Sequence, residues 1–390
     1  MAGSTFVFHN PRVERIVSGP GAIGKLAEEV ERLGGKRALV VISPSVAKTF
    51  LLGRITSALG AKAAAIFAQV RPHSPTDSIE KAVEVARGAQ IDVLVSVGGG
   101  SAIDTAKGVA ALLAEGGPLP RFGVRYSPPN RKEVPLMPAP KLPHIAIPTT
   151  LSGGEYSYSV GITEGDKKFI VADPKLAPRT VLLDAEAAAT APTRLLAASG
   201  MNALAHCVEA VYSTETQPLT EAYCLKGIGL LARYLPRAVE NSRDLEALSQ
   251  VQMAACLSGM GVYSAWTGIH HAIVHAIGGR YKVPHAEIHA LMLPYAMRWN
   301  LDATVQAYAR MAREIAIAGA NEEEIAAAVP EHVFAMNRRM GLLLKLRELG
   351  VPHDGLGRLA ADALADYSIH TNPKPVRSAA QVMEVLEAAW

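Results

Sequence analysis

Five of the chain's twelve histidines fall between residues 270 and 289, in HHAIVHAIGGRYKVPHAEIH. Imidazoles at that density hold a metal ion, exchange protons or bind anions at physiological pH. His271 and His275 are four apart, so a helix projects both from one face. His285 lies beyond Gly278 and Gly279, a break that can fold the chain back towards them. Upstream, SGMNALAHCVEA repeats the device, with Asn202 and His206 again four apart. Two helices can thus present nitrogen and oxygen donors to one centre, the composition of transition-metal sites. A lone histidine on an apolar helix is usually a satisfied core residue. Two i,i+4 pairs together with PHAEIH favour a site.

A second kind of chemistry is written in VLVSVGGGSAIDTAK, a buried strand running into three glycines and a serine that open a helix. Glycine lets the backbone approach a phosphate, and the free N–H groups of the helix start bind its charge. Gly98, Gly99, Gly100 and Ser101 are the expected pyrophosphate-binding residues, with Asp104 as a further cofactor residue one turn on; a tight turn without a ligand is the competing reading. In PTTLSGGEYS, Thr149, Thr150 and Ser152 offer hydroxyl and backbone donors to the nicotinamide ribose or the phosphates, against the alternative of a bland hydroxyl-rich turn. Gly19, Gly21 and Gly24 in SGPGAIGKL also satisfy GxGxxG. There, however, Pro20 stiffens the turn and the preceding apolar run is short. No acid closes the following strand either: in ALVVISPS, Ser43 stands where a ribose-binding carboxylate is expected. This cluster reads as a plain strand-to-helix turn.

The elements that must position these residues change character along the chain. Strand signals at 37 to 43, 63 to 68, 92 to 97, 144 to 148 and 180 to 184 alternate with helical stretches, which indicates a mostly parallel sheet covered on both faces. SVGITEGDKKFIVAD reads as a hairpin turning at Glu164, Gly165 and Asp166. Beyond Asp184, Ala/Leu/Met-rich helical patterns dominate. The expectation is an α/β dinucleotide-binding domain over 1–185 and an all-α catalytic domain over 186–390. Residues 118–143 hold eight prolines, a density that forbids helix or central strand, so an ordered loop or partial lid is expected beside the cofactor.

At 390 residues two domains are the default. A net charge of +3, from 39 basic and 36 acidic residues spread without blocks, gives no footprint for nucleic acid. The N-terminus lacks a secretory pattern and no long apolar run occurs, so no membrane association and a cytoplasmic location are expected. Cys207, Cys224 and Cys256 form no CxxC pattern and suit buried reduced thiols.

GGGSAIDTAK, PTTLSGGEYS, SGMNALAHCVEA and GIHHAIVHAIGGRYKVPHAEIHALMLP, in this order, resemble the iron-containing alcohol dehydrogenase superfamily. Within it they look most like maleylacetate reductases. The resemblance runs over nearly the whole chain and implies a dinucleotide-binding α/β domain, an all-helical domain and an active site in the cleft between them. It places the family's metal set on Asn202, His206, His271 and His285. Metal-dependent members carry GMDAL where this chain has GMNAL, so the only anionic ligand is replaced by a neutral amide. The resemblance further implies His275 lining the cleft, His270 and His289 in the HH and PHAExH pattern of the reductases, and Lys168 near the cofactor.

These readings converge on an NADH- or NADPH-dependent reductase of maleylacetate, or a related unsaturated oxo-dicarboxylate, giving 3-oxoadipate. No metal is expected. His206, His271, His275 and His285 would surround the enolate and carboxylates with Asn202, His275 being the preferred proton donor. His270, Arg280 and His289 are the expected substrate-binding residues, although Arg280 reads equally as a solvated surface residue. The partners are a small-molecule substrate and a second copy in a homodimer. The alternatives are a metal-dependent alcohol dehydrogenase using iron or zinc and, from a different class, a non-catalytic nucleotide-binding regulator.

Overall fold

The computed structural model describes residues 5–10, 12–127, 131–165, 167–281 and 283–390. They form two compact units, Pro11–Ala191 and Pro192–Trp390, the second joined by the N-terminal residues up to Asn10.

In the first unit the apolar runs become a six-stranded parallel sheet. Its strands are β1 (Arg15–Ser18), β2 (Ala38–Ile42), β3 (Ala63–Phe67), β4 (Val93–Gly98), β7 (His144–Pro148) and β10 (Thr180–Leu183). The order is β1-β10-β7-β4-β2-β3. Every residue of β2, β4 and β7 is buried, as expected for strands covered on both faces, and each fully buried Val, Leu or Ile contributes roughly 1.5–3 kcal/mol. From β2 the chain first builds outwards to β3, then returns across to β4 and continues through β7 to β10. The order therefore reverses between β2 and β4. In doubly wound sheets the crevice beyond the carboxyl ends of the strands at such a reversal binds ligands.

The sequence gives no signal for β1, a four-residue edge strand with three residues exposed. It pairs with β10 from Arg15↔Thr180 to Ser18↔Leu183, which brings SGPGAIGKL beside Asp184. That buried carboxylate accepts the Gly21 N–H at 3.3 Å, the Ile23 N–H at 3.0 Å and the Glu186 N–H at 3.0 Å. The N–H groups that a dinucleotide fingerprint turns towards phosphate are here occupied by protein, and the cluster is a strand-to-helix turn.

β8 (Ser159–Glu164) and β9 (Lys167–Ala172) form the anticipated hairpin, paired from Ser159↔Ala172 to Glu164↔Lys167 with Gly165 at φ 58°; Asp166 lies outside the described residues. The proline-rich stretch carries a helical turn at Leu119–Phe122 and a short antiparallel pair, β5 (Arg125–Ser127) with β6 (Arg131–Glu133); residues 128–130 lie outside the described residues. Proline excludes a central strand but leaves room for three-residue edge pieces, and the Val124 N–H ties the stretch to the Ile170 carbonyl at 2.7 Å.

In the second unit no strand occurs among the described residues. The helices that matter most are Thr193–Tyr212, Ile269–Arg280 and His285–Glu314. Ile269, Ile273, Val274 and Ile277 of the second pack with Ile288, Leu291 and Met292 of the third in one buried cluster. This packing fixes the two histidine-bearing helices against each other. The N-terminal stretch is held through the Ser264 hydroxyl, 2.7 Å from the His9 N–H. All three cysteines are buried free thiols.

Candidate active site

In the first unit Ser43, Gly98, Gly99, Gly100, Ser101, Thr149, Thr150 and Ser152, the residues expected to meet a cofactor, lie where the strand order reverses. Gly98 closes β4 at φ 144°, and a Cβ there would stand 2.4 Å from the Ser43 hydroxyl. A Cβ on Gly99 would meet Thr150 at 3.1 Å, and one on Gly100 would lie 3.6 Å from the Ser152 hydroxyl. Three glycines thus let Ser43, Thr150 and Ser152 crowd around one loop, and the Thr149 N–H bonds the Gly98 carbonyl at 3.0 Å. The helix that follows, Gly100–Glu115 with Ser101 in its first turn, starts without a side-chain cap. Its N-terminal N–H groups are suited to an anion.

Asp104 is tied to the hairpin. Its carboxylate accepts the Gly161 N–H at 3.2 Å and lies 3.5 Å from the Lys107 ammonium, so it anchors the β8–β9 hairpin. Lys107 is fully buried and donates to the Gly154 and Ser159 carbonyls at 2.7 and 3.0 Å. Lys168 projects from β9 over Gly161, where a Cβ would be 3.3 Å from its Cε.

In the second unit six histidines form one cluster. The His206 and His271 rings stack at 5.0 Å, and the His271 ring lies 4.7 Å from that of His289 and 5.9 Å from that of His275. The rings of His275 and His285 are parallel at 6.4 Å. Nε2 of His289 is 3.1 Å from Nε2 of His285, one turn earlier on the same helix. Asn202 lies buried one turn before His206. Burial, reinforced by neighbouring imidazoles, pushes His206 down to about 3 and His289 well below the usual range. His271 is also lowered by burial, against the opposing pull of Glu209. Burial thus favours the neutral ring at His206, His271 and His289.

Glu209 is the member that the sequence reading did not single out. It is fully buried and binds Nδ1 of His271 and, at 3.0 Å, Nδ1 of His270. Its other oxygen accepts the Gly268 N–H at 2.8 Å and the Tyr212 hydroxyl at 3.3 Å. Burial alone would raise this carboxyl, yet the two imidazoles hold it below the ordinary range. The signal was present: Asn202, His206 and Glu209 share one helical face at i, i+4 and i+7.

His270, expected to meet substrate, is corrected by the same geometry. Its Nδ1 faces Glu209 and its Nε2 faces the His289 carbonyl at 3.1 Å, so both ring nitrogens are engaged by the protein. Arg280 sits at the exposed end of its helix, ion-paired to Asp362. With His275, whose Nδ1 is 3.0 Å from Asp366, this pair lines a cavity of about 400 Å³.

Among the described residues the histidines that could hold a divalent cation have no anionic ligand beside them, since position 202 offers a neutral amide. His270, His271 and His289 bring ligand atoms within 4.8 Å of one another; both nitrogens of His270 face protein oxygens, whereas His271 meets Glu209 through Nδ1 and keeps Nε2 for a ligand. Nε2 of His285 is hydrogen-bonded to Nε2 of His289.

Residues 13–185 match the iron-containing alcohol dehydrogenase family, and residues 196–390 match the C-terminal region of the Fe-containing alcohol dehydrogenase family. The chain belongs to the iron-containing alcohol dehydrogenase family. Maleylacetate reductase 1 of Cupriavidus pinatubonensis is 31% identical over 364 residues, 93% of this chain and 92% of the relative. Lactaldehyde reductase of Escherichia coli K12 is 31% identical over 384 residues, 95% of this chain and 97% of the relative. Among solved structures, a 1,3-propanediol oxidoreductase superposes with a TM-score of 0.91 at 28% identity, covering 99% of this chain and 100% of its own. Maleylacetate reductase from Rhizobium sp. does so at 0.82, also at 28% identity, covering 100% and 99%. The family's fold, a parallel α/β sheet followed by a helical portion, is thus shared by a maleylacetate reductase and a 1,3-propanediol oxidoreductase, and the chain is an oxidoreductase of this family.

Proposed function

We propose that this oxidoreductase reduces maleylacetate, or a related unsaturated oxo-dicarboxylate, to 3-oxoadipate with NADH or NADPH. The observation that carries the reading is Asn202 beside a buried cluster of imidazoles bonded to one another and to Glu209. Such a cluster suits an organic anion whose charge is delocalised better than a doubly charged cation.

A bound nicotinamide supplies the hydride. In the enone the ketone polarises the C=C bond, so hydride adds at the carbon β to the ketone, negative charge develops on the ketone oxygen, and a proton then adds at the α carbon. Imidazoles of His206, His271 and His285 face the developing enolate, and His275, open to solvent and oriented by Asp366, returns the proton. Arg280 and His289 serve the carboxylates. Gly98, Gly99, Gly100 and Ser101 hold the pyrophosphate, with Ser43, Thr149, Thr150 and Ser152 around them. The reading carries a cytoplasmic homodimer, and among the described residues no helix is long and apolar enough to cross a membrane.

The likeness to lactaldehyde reductase and 1,3-propanediol oxidoreductase favours a second reading, a metal-dependent alcohol dehydrogenase. There Asn202, His206, His271 and His285 would hold the ion, which would polarise an alkoxide. Deuteride transfer separates the two. With 4-deuterated NADH the product should carry deuterium on the carbon β to an intact ketone. Deuterium on a carbinol carbon would reject enone reduction.

A further inference from the structure

We propose that Glu209 is a positioning residue that fixes His271 with its proton on Nδ1, leaving Nε2 as the one nitrogen that acts on the substrate. The proposal rests on the reading of the histidine cluster as the reaction centre and assigns within it which atom works.

Glu209 is a carboxylate in a fully buried position with four polar partners for its two oxygens. One oxygen takes the Gly268 N–H and the Tyr212 hydroxyl; the other takes Nδ1 of both His270 and His271. The Gly268 N–H can only donate to Glu209, and a carboxylate offers its partners lone pairs alone. Nδ1 of His271 must then be the donor, and a neutral imidazole with a protonated Nδ1 carries its lone pair on Nε2. Because neighbouring rings pack His271 on several sides, with His206 at 5.0 Å and His289 at 4.7 Å, the ring has little freedom to turn over.

The same carboxylate fixes where the histidines start. It binds the N–H of Gly268, the residue that opens the Ile269–Arg280 helix, while the Asn372 side chain accepts the Ile269 N–H at 3.1 Å. Only glycine fits at 268, since a Cβ there would lie 2.5 Å from the Asn372 oxygen and 3.2 Å from a Glu209 oxygen. Two side chains remote in sequence therefore hold the helix end that carries His270 and His271. A carboxylate at a helix N-terminus is also favoured by the helix dipole.

An anchor that only held the backbone would not care about the state of His271. This difference makes the proposal testable by a double-mutant cycle on the full chain with its preferred substrate. Glu209→Gln should lower kcat by about 10- to 100-fold, the scale of losing an orienting partner, with KM and NADH affinity little changed. In a His271→Ala background the same substitution should cause no further loss of kcat. An equal loss in both backgrounds, or a wild-type kcat in Glu209→Gln, overturns the proposal. If Glu209→Gln fails to fold, the wild-type protein labelled with 15N-histidine decides, the His271 signals being assigned by their absence in His271→Ala. A protonated Nδ1 and unprotonated Nε2 are expected, and the reverse tautomer overturns the proposal. That spectrum needs no substrate. An enzyme that rejects maleylacetate yet shows protonated Nδ1 loses the substrate assignment and keeps the role of Glu209.

Discussion

His285 and His289 meet through their Nε2 atoms, 3.1 Å apart, at the start of one helix. One of the two nitrogens donates and the other accepts, so the contact occupies on His285 an atom that a metal ion would need. Together with Asn202 it predicts weak metal binding. The purified enzyme should contain substoichiometric metal. Asn202→Asp should raise zinc or iron affinity by roughly tenfold or more, and adding His289→Ala should raise it further. Metal analysis and titration after chelation measure both, and a full equivalent of tightly held ion in the wild type would refute this account of the cluster.

The hydroxyl of Ser43 crowds against Gly98 at the strand reversal and supplies no negative charge to repel a 2′-phosphate. NADPH should therefore bind alongside NADH. Ser43→Asp should shift the kcat/KM ratio strongly towards NADH. A wild-type enzyme that already rejects NADPH would show that Ser43 is not at the ribose.

Asp184 predicts a loss of stability without a loss of cofactor affinity. Asp184→Ala leaves the N–H groups of Gly21, Ile23 and Glu186 without their acceptor, at a cost of about 1–3 kcal/mol for each that stays buried and unsatisfied. The Tm should fall while the NADH Kd of the folded protein stays put. A selective loss of NADH binding would mean that the first glycine cluster holds the dinucleotide after all.

Two buried groups of the first unit give opposite pH dependences. Burial pushes His144 down to about 3 from 6.5, so between those values the unfolded chain binds more protons and stability rises with pH. Burial raises Glu155 from 4.5 to about 7, so there the folded chain binds more protons and stability falls with pH. Thermal melts from pH 4.5 to 7 should show partial cancellation. His144→Gln should make stability fall more with rising pH, and Glu155→Gln should make it rise more. Shifts of the same sign in both variants would contradict these assignments.

The parts legible in the sequence are those with dense local signals. β2, β4 and β7 are continuous apolar runs because both faces of the sheet are covered, and the hairpin is marked by its turn. The histidines announce themselves by number and spacing, and the structure brings His206, His271, His275, His285 and His289 together as neighbours. β1 was silent because an exposed four-residue edge strand needs no apolar pattern. Glu209 was passed over because a glutamate on a helix normally faces water; its meaning comes from His270 and His271, some sixty residues away in sequence. Asp104 and His270 also bond the protein's own backbone and side chains, contacts that spacing does not carry.

The central claim is enone reduction by a cluster that needs no metal, and the most direct test is a nicotinamide-coupled assay on chelator-treated enzyme. Maleylacetate should be turned over at undiminished rate, with kcat/KM far above that for primary alcohols, diols or their aldehydes. Activity confined to alcohols and aldehydes, abolished by the chelator and restored by iron or zinc, would contradict the account.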